Sequence, residues 1–185
     1  MQPILFYTIG YPGAGKTSFA GHLAGWFGTE HVRADQIGLN LFPRPTFSPA
    51  ERKATYQMMD YQSRELMNKG KIVLYDGTLN TVAERQHLAE LAIQCGGQAI
   101  GLWMTVPTST AKERAARLRD VGVGGGGGRV VPPEIFDRHV ASFEQPTTGE
   151  SYIEIDGLQP FGYQYRFLQH ALAQHGIKLA RMIEL

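Results

Sequence analysis

The octet Gly10-Tyr11-Pro12-Gly13-Ala14-Gly15-Lys16-Thr17 lies between an apolar run, Ile4-Leu5-Phe6-Tyr7-Thr8-Ile9, and a helix-forming stretch from Ser18 to Phe27. A bulky apolar run that stops at glycine reads as a strand buried on both faces. The octet fits G-x-x-x-x-G-K-[ST] in the strand-to-helix setting this pattern requires. Gly10, Gly13 and Gly15 let the backbone curl so that N–H groups, including those of Ala14 and Ser18, face one anion. The helix N-terminus adds a partial positive charge and Lys16 a full one. Thr17 supplies a hydroxyl for a Mg²⁺ ion accompanying the phosphates. This segment predicts a phosphate cradle and, through it, a nucleotide site.

Three further runs resemble the first: Ile72 to Tyr75, Ala99 to Met104, and Tyr152 to Ile155 before Asp156. Ser48-Pro49-Ala50-Glu51 and Thr81-Val82-Ala83-Glu84 place a cap three residues before a Glu, so helices are expected from about 49 to 69 and 82 to 95. A last amphipathic helix is expected from Tyr163 to Gln174. Strands alternating with helices of this length give an α/β fold with a parallel sheet covered on both faces.

The 185 residues, 43% of them hydrophobic, suffice for one core, and residues 1–185 are read as a single domain. Eighteen Lys and Arg against seventeen Asp and Glu leave a net charge of +1, so no global field draws the chain to nucleic acid or an anionic membrane. The aromatic residues do not interleave with basic runs as a single-strand stacking platform requires. Cys95 is the single cysteine, the six histidines share no zinc spacing, and no apolar stretch approaches a membrane span. Neither a signal peptide nor a membrane helix is expected, and a reducing, cytoplasmic setting follows as the simplest expectation.

Two segments interrupt the alternation. Leu41 to Phe47 carries Pro43 and Pro45 and is expected as an ordered surface loop. Gly122, Val123 and the run Gly124 to Gly128 cannot hold one backbone without outside contacts and are expected as a mobile lid, covering about residues 114–132, within the one domain, with a linker between domains as the other reading. An engineered loop would read the same way. Arg114, Arg117 and Arg119 precede the glycines and Arg129 follows them. A guanidinium closing on a transferring phosphate would neutralise its charge, and Arg117 and Arg129 are the expected pair; a solvated charged helix is the other reading. Asp76 follows the predicted strand Ile72 to Tyr75, where a carboxylate holds a Mg²⁺-bound water, meets an acceptor, or starts a turn before Gly77.

Several nucleotide-binding classes fit poorly. Asn68-Lys69-Gly70-Lys71 ends in Lys where a guanine signature needs Asp. Leu74-Tyr75-Asp76-Gly77 lacks the Glu that polarises water in motor-type and AAA-type ATPases, and no Leu-Ser-Gly-Gly signature of transporter-type ATPases is present.

The order of features over about residues 4 to 156 resembles the small P-loop kinases that group with polynucleotide 5′-hydroxyl kinases, zeta-toxin kinases and bacterial predicted kinases. The likeness rests on Gly10 to Thr17, on Val32 to Ile37, on Asp76-Gly77-Thr78-Leu79-Asn80 with Arg85 after it, on the arginine-bearing helix through Arg119, and on Val131-Pro132-Pro133-Glu134 leading to Phe143-Glu144-Gln145-Pro146 and Glu150. It implies a three-layer kinase-like fold with a five-stranded parallel sheet, an arginine-bearing lid over the phosphates of ATP, and Mg²⁺ with ATP as cofactors. It implies phosphoryl transfer to a hydroxyl acceptor, either a polynucleotide 5′ end or a small metabolite, nucleoside or antibiotic. A nucleotide-binding switch or slow NTPase acting on a protein partner is the alternative from another class.

By the same resemblance Asp35 is the base for the acceptor hydroxyl, although Asp is also a favoured helix cap. Asp76, Thr78 and Arg85 join Asp35 on the acceptor side, with capping and surface pairing the blander roles of Thr78 and Arg85. The turn after Asp156 marks where the adenine rests. The family's arginine three residues after the Asp is here Gly38, which weighs against a nucleic-acid acceptor unless Arg33 or Arg44 substitutes.

Overall fold

The apolar runs become strands of one parallel sheet in the computed structural model, which describes residues 2–46, 48–117, 130–174 and 176–177. In chain order these residues form β1 (Ile4–Ile9), α1 (Lys16–Phe27), β2 (Glu30–Arg33), α2 (Ala34–Leu41), α3 (Pro49–Asn68), β3 (Val73–Asp76), α4 (Val82–Gln94), β4 (Gln98–Thr105), α5 (Thr108–Arg117), α6 (Pro133–Ala141), β5 (Tyr152–Asp156) and α7 (Phe161–Gln174). The sheet runs β2-β3-β1-β4-β5, and every neighbouring pair is parallel.

β1 is central and wholly buried. Its period of two divides the core: Ile4 and Phe6 face α1 and α7 with Leu74, Ile100, Leu102 and Ile153, whereas Leu5, Tyr7 and Ile9 face α3 and α4 with Val73, Met59 and Leu88. Phe6 stands between Leu74 and Ile100 in register. Each such fully buried side chain contributes about 1.5–3 kcal/mol, enough to fix which face of β1 meets which layer.

The caps lie where the residues place them. Ser48 Oγ accepts from Glu51 N (3.3 Å) with Pro49 beginning α3, and Thr81 forms a full capping box with Glu84 on α4. Both helices end one residue before the expected position. β2 was not legible as an apolar run, because only Val32 of its four residues is buried on this edge strand. α2 ends at Leu41, and residues 42–46 carry no regular structure, as the two prolines require. Arg119, Arg129 and the run Gly122 to Gly128, with most of the expected lid, lie outside the described residues. The stems of that segment meet, since Val131 N donates to Ala115 O (3.1 Å). Among the described residues no helix is long and apolar enough to cross a membrane.

Candidate active site

The loop at the end of β1 is shaped by close backbone approaches. A Cβ on Gly10 (φ +134°) would stand 2.6 Å from Met104 O, and one on Gly13 (φ +81°) 2.1 Å from Ala111 O and 2.8 Å from Ala115 N. Only glycine satisfies both the left-handed backbone and these distances. Gly13→Ala is therefore expected to separate the loop from α5 and abolish nucleotide binding, read by calorimetric titration with Mg–ATP.

Gly15 caps α1, whose first turn holds no acidic residue, leaving its N-terminal N–H groups free for an anion. Lys16 Nζ donates to Gly10 O and Tyr11 O, both at 2.8 Å, and lies under the loop. Burial lowers its ammonium to about 8, with Asp76 pulling the other way.

Asp76 is buried at the carboxyl end of β3. Its Oδ1 accepts from Thr8 Oγ1 (3.2 Å) and Thr17 Oγ1 (3.3 Å), and its Oδ2 lies 3.2 Å from His31 Nε2. Thr17 and Asp76 thus bring two hard oxygen donors together from different elements. Among the described residues no three His, Cys, Asp or Glu side chains gather into a metal cage. That donor set suits Mg²⁺, which is held by one or two protein oxygens and completes its shell with water and phosphate.

Asp35 lies in the first turn of α2 rather than capping it; the N-cap is Arg33. Arg33 grips the Asp35 carboxylate with both branches, Nε to Oδ1 at 3.1 Å and Nη2 to Oδ2 at 2.7 Å, and Gln36 N donates to Oδ1 at 2.8 Å. The Arg33 side chain is 10% exposed and that of Asp35 49%, so a nearly buried cation holds an open carboxylate. Gly38 faces α3, where an added Cβ would meet Thr55 Oγ1 at 3.5 Å.

Thr78 is fixed through its backbone: its N–H donates to Tyr56 Oη (2.7 Å), and its carbonyl accepts from Tyr56 Oη (3.0 Å) and Arg52 Nη2 (3.1 Å). Arg52 also pairs with Glu84 (2.8 Å) and lies over the Tyr56 ring. Arg85 stands apart. It is 1% exposed and pairs with the buried Glu150, with Nη2 3.1 Å from Oε1 and further contacts to Leu79 O and Gln145 O. The structure places Arg85 as the tie between α4 and the 145–150 segment, a buried pair in place of surface pairing.

On the other side of the loop, a cleft of roughly 290 Å³ is lined by Ala14, Ser18, His22, Arg114, Gly157 and Phe161, among others. Arg114 Nη1 donates to Gly157 O (3.0 Å), and His22 stacks on Phe161 at 4.8 Å. This is the turn after β5 where the sequence placed an adenine. Arg114, not Arg117, reaches the cleft; Arg117 is exposed at the end of α5, and Arg129 lies outside the described residues. The sequence reading missed His31, Arg52 and Tyr56. No local pattern marks them, because each acts on a residue more than twenty positions away.

A glycine-curled loop feeding a helix, with Lys16 beneath it and a Thr17–Asp76 pair beside it at the carboxyl ends of a β2-β3-β1-β4-β5 sheet, defines a P-loop protein of the kinase-like α/β class. Residues 5–146 match the family described as AAA domain, and the chain belongs to it. Membership does not bring the hydrolytic Asp-Glu pair, since position 77 is glycine and a Cβ there would lie 3.0 Å from Tyr56 Oη.

No curated protein matches the chain in sequence. Among solved structures, a sugar kinase from Janibacter sp. HTCC2649 is similar over 96% of this chain and 95% of its own, with a TM-score of 0.64 and 17% identity. A gluconokinase from Sinorhizobium meliloti 1021 is similar over 94% and 93%, with a TM-score of 0.67 and 16% identity. The Pnkp1/Rnl/Hen1 RNA repair complex is similar over 76% of this chain and 44% of that one, with a TM-score of 0.64 and 20% identity. At these identities the likeness is one of fold.

Proposed function

We propose that this protein is an ATP-dependent phosphotransferase that moves the γ-phosphoryl group to a hydroxyl acceptor. The reading rests on one arrangement: Lys16 and the Thr17–Asp76 pair stand at the ends of β1 and β3, with the open carboxylate of Asp35 one strand further along the same sheet edge. Lys16 exchanges its two loop carbonyls for phosphate oxygens and stabilises the charge that builds on them. Thr17 and Asp76 would hold Mg²⁺, which neutralises phosphate charge when bound. Asp35, held by Arg33, accepts the acceptor's hydroxyl proton as the acceptor oxygen bonds to phosphorus and the bond to the leaving diphosphate breaks.

Among acceptors, a small hydroxylated molecule fits best. Arg33 and Arg52 are already paired with Asp35 and Glu84, and Gly38 stands where the polynucleotide kinases carry a phosphate-binding arginine. The likeness to the RNA repair complex favours a second reading, a polynucleotide 5′-hydroxyl end.

The test offers γ-labelled ATP and Mg²⁺ with a 5′-hydroxyl oligonucleotide and a pool of sugars, nucleosides and aminoglycosides, with products identified by mass spectrometry. Label on a small molecule is expected. Label on the oligonucleotide would select the second reading, and label released solely as phosphate would make the protein an NTPase or switch. Asp35→Asn is expected to bind Mg–ATP as the parent does while transfer falls about 10²–10⁴-fold; unchanged transfer would remove the base assignment.

A further inference from the structure

The helix α6 lies against the phosphate loop. The Tyr11 ring packs edge-on against Phe143 (centroids 5.0 Å apart) and tilted against Phe136 (6.2 Å), while the Tyr11 carbonyl accepts from Lys16 Nζ. On the helical turn between those two phenylalanines stands His139, three residues after Phe136 and four before Phe143. The face that covers Tyr11 therefore carries one half-buried imidazole, set between the loop and the residues that follow Asp76.

A chain of hydrogen bonds fixes that imidazole. Ser142 Oγ donates to His139 O (3.3 Å), so its oxygen accepts from Asn80 Nδ2 (3.1 Å). This orients the Asn80 amide with its nitrogen toward α6, and the second amide hydrogen meets His139 Nδ1 at 3.0 Å. A neutral ring that accepts at Nδ1 carries its proton on Nε2. Burial and then the positive charges of Lys16, Arg52 and Arg138 hold His139 below the ordinary imidazole value, against the opposing pull of Glu84, which favours the neutral ring that the Asn80 bond requires. Asn80 is itself tied down, since its N–H donates to Glu84 Oε2 (2.8 Å) and its carbonyl accepts from Glu144 N (2.8 Å).

We propose that His139 is a catalytic residue whose Nε2–H, set by Asn80 and Ser142, donates to the γ-phosphoryl group at the mouth of the loop. The proposal rests on the phosphotransferase reading and adds to it a neutral donor from α6, the helix packed on Tyr11 of the loop. A neutral donor stabilises the equatorial phosphoryl oxygens without attracting free anions into the acceptor side, and its tautomer is set before nucleotide arrives, so no reorganisation accompanies transfer.

Long-range ¹H–¹⁵N spectra of the ¹⁵N-labelled protein test this, with His139 assigned by its loss in His139→Gln. Mg–AMPPNP and Mg–ADP differ at the γ position. Mg–AMPPNP is expected to shift the His139 Nε2 resonance while Mg–ADP leaves it in place, and both are expected to move the backbone amides of Gly13, Gly15 and Lys16. An unmoved His139, or an equal shift with both nucleotides, while the loop amides respond, would overturn the proposal and leave the phosphotransferase reading standing. Loop amides that respond to neither nucleotide would overturn both.

Asn80→Asp replaces the donor with an acceptor. At about pH 9, where the added carboxylate no longer leaves the ring doubly protonated, the ring is expected to carry its proton on Nδ1 and to lose the Mg–AMPPNP response; a retained Nε2–H tautomer and response at that pH would also overturn the proposal. His139→Ala is expected to lower kcat about 10²-fold with KM for ATP little changed, and His139→Gln to retain more of it. Equal kcat in the parent and His139→Ala would sink the assignment.

Discussion

Lys16→Ala is expected to lower phosphoryl transfer at least 10²–10³-fold, the range seen when a single preorganised charge-stabilising donor is removed. Its ammonium is the one full charge that the loop itself brings to the phosphates. Two effects on stability oppose each other: the variant loses hydrogen bonds to Gly10 O and Tyr11 O, and it also loses the burial that lowers this ammonium to about 8. The melting temperature is therefore expected to move little, and the damage to appear in rate.

The same residue gives a proton signature. The free protein titrates Lys16 near pH 8, whereas a bound triphosphate raises its value, so between those two values binding takes up a proton. At pH 8.5, calorimetric titration of Mg–ATP in buffers of different ionisation enthalpy is expected to show uptake in the parent and none from this site in Lys16→Ala. Equal linkage in both proteins would remove Lys16 as the source, and transfer retained in the variant would remove it from the mechanism.

Arg85→Ala is expected to act on stability instead. Removing one partner of a buried pair leaves the other charge uncompensated, at a cost of about 3–5 kcal/mol. For a chain of this length unfolding as one unit, that is a fall in Tm of roughly 10 °C, measured by calorimetry. Arg85→Met with Glu150→Leu is expected to recover most of the loss, because an apolar pair no longer buries an unpaired carboxylate.

The pH dependence has a defined sign. Burial would raise the Glu150 carboxyl, but the hydrogen bond from Arg85, the Thr147 N–H and the Arg85 charge together hold it below its ordinary value. A depressed carboxyl contributes stability above the unfolded value, about 4.3, and loses it as pH falls through the lower folded value. The parent is therefore expected to lose stability through this window and Arg85→Ala to lose less. Transfer by folded Arg85→Ala, assayed well below its Tm, is expected to stay near the parent's if the pair is structural alone; a variant as stable as the parent but inactive would support the acceptor-side reading of Arg85.

What the sequence made legible was local. The strand before Gly10, the octet, and the caps at Ser48 and Thr81 are each written within a few residues, and each stands where those residues place it. Contacts across long chain separations were not legible. Arg85 reads as free for surface pairing until Glu150, sixty-five positions later, is seen to pair with it in the interior. The short edge strand β2 shows no apolar run because one residue alone is enclosed, and the resemblance, not hydropathy, supplied it. Gly38 looked like a missing arginine. In the structure a Cβ at 38 would make only ordinary contact with Thr55 on α3, and the clamp on Asp35 comes from Arg33.

The contact between Gly77 and Tyr56 bears on how this chain could change its chemistry. Tyr56 is pinned by both backbone groups of Thr78, so a glutamate installed at 77 alone meets a ring that has nowhere easy to go. A side chain at 77 requires Tyr56 to give by a few tenths of an ångström, which strains its bonds to Thr78 in the wall beside Asp76. The step from glycine to glutamate at 77 is thereby coupled to the fit of Tyr56, so that positions 56 and 77 are expected to change together.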